Sequence, residues 1–321
     1  MRVAVLSGGR SSEHGVSLES GKAVAAGLEQ AGHEVVRVTI ERDGRWRIDG
    51  EDVELRAADG LLDADAAFPV LHGPYGEDGT VQGMLECLDV AYVGPAVLPA
   101  AVAIDKLVFK RLLAFHEIPQ VDFCEAGEKG WRGEAEAMGL PLWVKPSRLG
   151  SSVGISKVSD HSELEAAVEG ARRHDPRVIV EAHCDGREVE CSVIGNDEPQ
   201  TSLPGEIRTG AEWYDFEAKY ADGGMDLVVP APLGAGVAER LRSIAADVYR
   251  AIGGTGLARC DFFVTEADEI LVNELNTIPG FTATSVFAKL FEATGISYPE
   301  LCDRLVTLAV ERHAANRRFE F

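Results

Sequence analysis

The stretch DFFVTEADEILVNELNTIPGFTATS, residues 261–285, decides how the rest of the chain reads. Two short apolar runs, 262–264 and 270–272, flank the polar, turn-prone TEADE, a pattern that predicts two strands joined by a tight connection. Side chains alternate along a strand, so Arg259 and Asp261 share one face, and Glu274 and Asn276 share one face. A guanidinium, two carboxylates and an amide oxygen can then converge on one site. Hard divalent cations such as Mg²⁺ take oxygen ligands from a few protein groups and complete the shell with water and phosphate, which suits Asp261, Glu274 and Asn276. For any one of these residues alone, an acidic strand end facing solvent is the competing reading. Pro279-Gly280 weighs against it, because that turn lets backbone approach a ligand just past the acidic cluster.

Working outward, residues 3–6 form an apolar run that enters Ser7-Gly8-Gly9. A helical pattern follows on Val24, Leu28 and Ala31 and stops at Gly32. Residues 34–40 return as a β-branched strand, Asp43-Gly44 turns it, and 66–71 is another buried strand. Such alternation implies a parallel sheet covered by helices, with ligands at the carboxyl ends of the strands, where Gly8, Gly9, Glu13 and His72 fall. Taken singly, Glu13 or His72 reads more readily as a solvated loop residue. Asp105 then caps a helix with Lys106 in its first turn and Val108, Leu112 and Phe115 as its expected buried face. After a polar stretch, 125–139, comes a strand at 142–144 and the loop KPSRLGSSVG, residues 145–154. Its glycines and hydroxyls can fold backbone N–H groups over a triphosphate while Lys145 adds charge; a flexible polar hairpin is the alternative. A helix on Leu164, Val168 and Ala171 and a strand at 178–181 follow. Residues 209–226, TGAEWYDFEAKYADGGMD, lack periodicity and are long for an idle connection, and their aromatics argue for order, as in a lid. Helical stripes resume on Val237, Leu241, Ile244 and Val248. The last runs on Leu301, Leu305 and Leu308, behind Ser297 as cap.

The 321 residues, 45% of them hydrophobic, suffice for two or three domains with sizeable cores. A net charge of −22 argues against nucleic acid or an anionic membrane as partner, so any phosphate must be met by local cations. No run is apolar enough to span a membrane, and the start of the chain does not read as a signal peptide, so a cytoplasmic protein is expected. The six cysteines show no CxxC spacing and read as free thiols.

ARCDFF and NELNTIPGFT resemble the metal-binding end of an ATP-grasp ligase, specifically of the D-alanine:D-alanine ligase family. GGRSSEHGVSL, HGPYGEDGTVQG, IDKLVFK, VKPSRLGSSVG and YDFEAKY resemble that family's motifs in the family's order, so the resemblance runs over about residues 3–285. It implies an α/β, three-domain ATP-grasp fold: an N-terminal Rossmann-like substrate-binding domain (1–104), a central ATP-grasp subdomain (105–182), and a C-terminal one (183–321) carrying lid and metal site. It further implies ATP-dependent joining of two D-alanines through an acyl phosphate for peptidoglycan precursors, with two Mg²⁺ ions or Mn²⁺ in their place, and a homodimer.

By resemblance, Lys106, Lys145 and Lys219 meet the phosphates, Glu181, Ala182 and His183 the adenine, and Glu188 the ribose. Glu13 would hold the first substrate's ammonium, with His72 near its carboxylate, while Ser285 and Val286 take the carboxylate of the second. Arg259 and the Gly280 N–H would stabilise the tetrahedral oxyanion, and Glu13, Ser151 and Tyr220 would form a hydrogen-bonded triad. The chain departs from the family at Gly15, Phe216 and Leu149, which bears on substrate preference and on the lid. A D-Ala:D-Ser or D-Ala:D-Lac ligase is the near alternative, opposed by the retained Lys219-Tyr220. A catalytically silent ATP-binding regulator is the distant one, opposed by the intact ligand set.

Overall fold

The computed structural model describes residues 1–209 and 225–319, and their strands fall into three sheets. The first unit comprises β1 (Arg2–Gly8), α1 (His14–Gln30), β2 (Glu34–Ile40), β3 (Trp46–Ile48), β4 (Glu51–Asp52), β5 (Ala66–Pro69), α2 (Thr80–Leu88), β6 (Ala91–Tyr92) and α3 (Val97–Ile104). Its sheet runs β4-β3-β2-β1-β5-β6. β1 pairs in parallel with β2 and β5, as the apolar runs predict, and β3 folds back antiparallel through the Asp43-Gly44 turn to cover an edge. Gly8 is needed where β1 ends: its φ is +95°, and a Cβ there would sit 2.4 Å from the Ile40 carbonyl oxygen.

α4 (Lys106–Phe115) follows and buries Phe109 and Leu113 in a core shared with Val189, Leu241 and Tyr249, and the second unit holds β7 (Phe123–Glu125), α5 (Trp131–Met138), β8 (Leu142–Pro146), β9 (Ser156–Val158), α6 (Leu164–Arg172) and β10 (Val178–Ala182). Its antiparallel sheet runs β7-β10-β8-β9. The polar stretch 125–139 thus contributes α5, which buries Trp131 and Ala135. Asp105 caps α4 as expected, its side chain accepting from the Val108 N–H. The expected buried face of α4 holds only at Leu112, which is half-buried against a core: Val108 is 38% and Phe115 80% exposed, whereas Leu107, Phe109, Lys110 and Leu113 are buried. The inward face carries a lysine, so an apolar stripe alone selects the wrong side.

The third unit comprises β11 (Gly186–Gly195), β12 (Gln200–Thr201), β13 (Gly205–Thr209), β14 (Met225–Val228), α7 (Ala235–Ala251), β15 (Gly256–Thr265), β16 (Ile270–Asn276), α8 (Val286–Ala293) and α9 (Tyr298–Asn316). Its sheet follows β14-β13-β11-β15-β16, with β12 on β11. α8 and α9 return to the first unit, where Phe287, Phe291, Leu301 and Leu305 share a core with Val5, Val24, Leu28 and Phe68. Arg312, buried at the end of α9, donates to the carbonyls of Tyr92 and Gly94. The segment between β16 and α8, which carries Gly280 and Ser285, is therefore anchored at one end in the third sheet and at the other in the first.

Candidate active site

β15 and β16 pair antiparallel with Arg259 opposite Asn276 and Asp261 opposite Glu274, and the register shifts just after Asp261. The convergence expected from alternation follows from this register. Arg259 grips Asp261 with two bonds of 2.7 Å, Nε to Oδ1 and Nη2 to Oδ2, and its Nε lies 2.8 Å from Glu190 Oε2 on β11. Burial works against the guanidinium charge, but the Asp261 and Glu190 carboxylates outweigh it and raise its pKa well above the ordinary value. Asn276 donates its amide Nδ2 to Asp261 Oδ2 at 2.8 Å and lies 3.5 Å from Glu274 Oε1.

Two carboxylates thus converge on an amide whose oxygen a simple flip would present in place of its nitrogen. This donor set fits a hard divalent cation. Among the described residues no group of three or more His, Cys, Asp or Glu side chains is arranged to hold a metal, so a cation here would take Asp261, Glu274 and Asn276 and complete its shell with phosphate and water oxygens.

Facing these strands, Ser151 in the β8–β9 loop donates to Glu13 Oε1 at 2.5 Å, joining loops of the second and first units. Gly73 makes room for that carboxylate, since a Cβ there would sit 2.8 Å from Glu13 Oε2. Ser11 bonds the His72 carbonyl at 2.6 Å and receives the Glu13 N–H at 3.2 Å, which fixes the start of α1 against the end of β5. Both ring nitrogens of His72 are engaged. Nδ1 donates to the Ile278 carbonyl at 3.0 Å, so Nε2 accepts from Ser20 Oγ at 3.1 Å, and burial lowers the ring's pKa. His72 therefore lines the cleft as a joint between the first unit and the Gly280 segment.

Lys145, on β8, contacts Glu181 Oε2 of β10 at 2.5 Å, and Lys110 approaches Glu181 Oε1 at 3.1 Å. Burial alone would raise the Glu181 pKa, yet the two lysines outweigh it and hold the carboxyl down at about 2. Lys106 Nζ donates to the Leu149 carbonyl at 2.6 Å and lies 4.0 Å from Glu274 Oε2. At the end of β10, Trp143 Nε1 donates to His183 Nδ1 at 3.1 Å. Ser285 precedes α8 and contacts Thr282 through both backbone and hydroxyl, with Val286 at the first turn.

One cleft of about 840 Å³ is lined by Glu13, His72, Lys106, Lys145, Ser151, Glu181, Ala182, His183, Glu188, Arg259, Asp261, Glu274, Asn276, Gly280, Ser285 and Val286. Every sequence-predicted site residue inside the described range thus faces one space. Lys219, Tyr220 and Phe216, with the lid expected at 209–226, lie largely or wholly outside the described residues. A Cβ at Gly15 would meet nothing within 4 Å, so the cleft has room where the family resemblance places an acidic side chain.

Sequence reasoning missed Glu77, Glu190, Lys110 and Trp143. Glu77 lines the same cleft and accepts the Gly73 N–H at 2.7 Å; burial and the Glu13 charge push its carboxyl up to about 8. The signal for Glu190 was present in the alternation of Glu188 and Glu190 along GREVECSVIG.

The chain matches the D-ala D-ala ligase C-terminus family over residues 112–307 and the D-ala D-ala ligase N-terminus family over 2–63 and 49–95. It is 43% identical to a D-alanine–D-alanine ligase of Halothermothrix orenii, with 97% of this chain and 98% of that protein covered. The solved structure of the D-alanine-D-alanine ligase from Coxiella burnetii superposes with a TM-score of 0.90 at 33% identity, covering 99% of this chain and 96% of that one. The VanG D-Ala:D-Ser ligase of Enterococcus faecalis gives 0.86 at 32%, covering 96% and 99%. Profile, relatives and fold coincide over nearly the whole length, and the chain belongs to the D-alanine–D-alanine ligase family.

Proposed function

We propose that this protein joins two D-alanine molecules at the expense of ATP, through an acyl phosphate, to supply a peptidoglycan precursor. The observation that carries the reading is a single cleft holding the Glu13–Ser151 contact, the phosphate-binding lysines and the Arg259–Asp261 pair at once. A carboxylate is a poor electrophile, so it must first be phosphorylated. Glu13, aligned by Ser151, holds the ammonium of the first D-alanine, with His72 beside its carboxylate. That carboxylate attacks the γ-phosphate, against charge supplied by Lys106, Lys145 and Lys219. Mg²⁺, or Mn²⁺, when held by Asp261, Glu274 and Asn276, supplies neutralisation of the phosphate oxygens.

The neutral amine of the second D-alanine then attacks the acyl carbon. Arg259 and the Gly280 N–H stabilise the oxyanion, and phosphate departs. Ser285 and the Val286 N–H, at the start of α8, take the second carboxylate, where a helix N-terminus favours an anion. Glu181, Ala182 and His183 meet the adenine and Glu188 the ribose, while Tyr220 completes the Glu13–Ser151 triad when the lid closes. We divide the chain at 104/105 and 182/183, and place it in the cytoplasm. A homodimer is in keeping with the exposed Leu98 and Phe115 on α3 and α4.

The test is ADP release against a panel of D- and L-amino acids and D-hydroxy acids. Release with D-alanine, with D-alanyl-D-alanine as product, is expected. Mainly depsipeptide from equal D-alanine and D-lactate would move the second substrate, and nucleotide binding without release would leave a silent ATP-binding protein.

A further inference from the structure

Lys110 is an expensive residue where it stands. It is 1% exposed, on the inward face of α4, and its Nζ lies 3.1 Å from Glu181 Oε1 and 5.8 Å from the Phe123 ring centre. The contact meets ion-pair distance without hydrogen-bond geometry. Burial is the larger influence and lowers the Lys110 pKa, against the opposing pull of Glu181, and the Nζ–Oε1 contact is what holds the ammonium in place. An aliphatic side chain of similar volume would fill this position without a desolvation cost, so packing alone does not account for a lysine.

Charge balance does account for it. Glu181 and Lys145 line the cleft and Lys110 does not. Were Glu181 shared with no second cation, its carboxylate would cancel Lys145, and the pair would present no net charge to an anion. With Lys110 on the far oxygen, two lysines and one carboxylate leave a single net positive charge, carried on the side that faces the cleft.

We propose that Lys110 is a positioning residue for the polyphosphate of a nucleotide: by engaging Glu181 Oε1 from behind, it leaves Lys145 net cationic toward the cleft and fixes the carboxylate between the two ammonium groups. This rests on the nucleotide-binding reading above. Lys110 touches no substrate and acts through Glu181 alone. The raised pKa of Lys145, where Glu181 outweighs burial, accords with an ammonium that stays charged.

The test compares ADP with adenosine, which lacks the phosphates, by titration calorimetry on the full chain. The quantity read is the ratio of the two affinities. Lys110→Met is expected to lower that ratio about tenfold through lost Coulomb attraction, and adding Glu181→Gln to it should restore the ratio to within about threefold by returning the net positive charge. Glu181→Gln alone, which also serves if Lys110→Met does not fold, should raise the ratio above the unmutated value. An unchanged ratio in Lys110→Met, a double variant that stays as weak, or a lowered ratio in Glu181→Gln overturns the inference. If the unmutated chain binds no ADP, the nucleotide reading falls and takes this inference with it; if it binds ADP and Lys110→Met keeps the ratio, the inference alone falls.

Discussion

Replacing Arg259 separates what holds the site together from what the reaction uses. Its guanidinium makes two 2.7 Å bonds to Asp261 and approaches Glu190 at 2.8 Å. Asp261 and Glu190 are themselves directly opposite on β15 and β11, and both are buried. Arg259→Met therefore leaves two facing carboxylates without their shared cation. Breaking a buried ion pair from one side costs about 3–5 kcal/mol, and we expect a loss of that size in the urea unfolding free energy. In its proposed role as an oxyanion donor, the loss of Arg259 adds a barrier of about 3 kcal/mol, so turnover should fall by roughly 10²–10³-fold even where the variant is folded. Arg259→Lys keeps a cation between the acids but has no planar fork to match a carboxylate and an oxyanion together. It should recover most of the stability and little of the turnover. Urea unfolding and ADP release on the three proteins decide the matter. An Arg259→Met protein as stable as the parent would mean the buried ionic cluster does not form, and wild-type turnover in Arg259→Lys would refute the forked geometry as the catalytic feature.

Three further outcomes are expected. Glu77 has a folded pKa of about 8, above the ordinary carboxylate value, so the folded state keeps a proton the unfolded chain has shed; stability from this group is full at acid pH and falls as pH rises through 8. Glu77→Gln should thus gain roughly 1–3 kcal/mol over the parent at pH 9 and nothing at pH 4, and equal stability gains at both pH values would remove the buried proton from the account. Ser151→Ala removes a bond to a charged acceptor worth about 1.5–3 kcal/mol, so kcat/KM for D-alanine should drop about 10- to 100-fold while ADP affinity holds; a parallel loss of ADP affinity would make Ser151 a phosphate contact instead. Glu274→Gln keeps the shape of the cation site and removes one charge, so the Mg²⁺ concentration for half-maximal activity should rise; an unchanged Mg²⁺ titration would exclude Glu274 as a ligand.

The parts of this site that single residues announce are those fixed by chain-local spacing. Arg259 with Asp261, and Glu274 with Asn276, are two apart on strands, so one rule of alternation puts each pair on a face. Alternation along GREVECSVIG puts Glu190 on one face with Glu188, but that it meets Asp261 needed the β11–β15 register, which brings the two together from more than seventy residues apart. Lys110 was hidden for a different reason. The amphipathic reading of α4 equates buried with apolar, whereas the inward face holds a charge because its partner, Glu181, is buried too. The return of α8 and α9 to the first sheet was equally invisible. Their apolar stripes show that something is covered, but not which of three sheets supplies the other half of the core.

The same pairing explains how a chain of net charge −22 can draw a polyphosphate. An unpaired lysine in a cleft would adopt many rotamers and pay to be ordered when the anion arrives. Here each described lysine or arginine lining the cleft is already held by protein groups: Lys145 by Glu181, Lys106 by the Leu149 carbonyl with Glu274 nearby, Arg259 by Asp261 and Glu190. The ordering cost falls on folding instead of on binding. Acidic surroundings then disfavour anions everywhere else, so a phosphate gains only where these groups are positioned. A consequence for mutagenesis follows: neutralising the acidic partner of a lysine should move nucleotide affinity as surely as neutralising the lysine, and in the opposite direction wherever charge outweighs placement. Glu181 is the residue at which the two effects can be told apart, because it serves one lysine inside the cleft and one outside it.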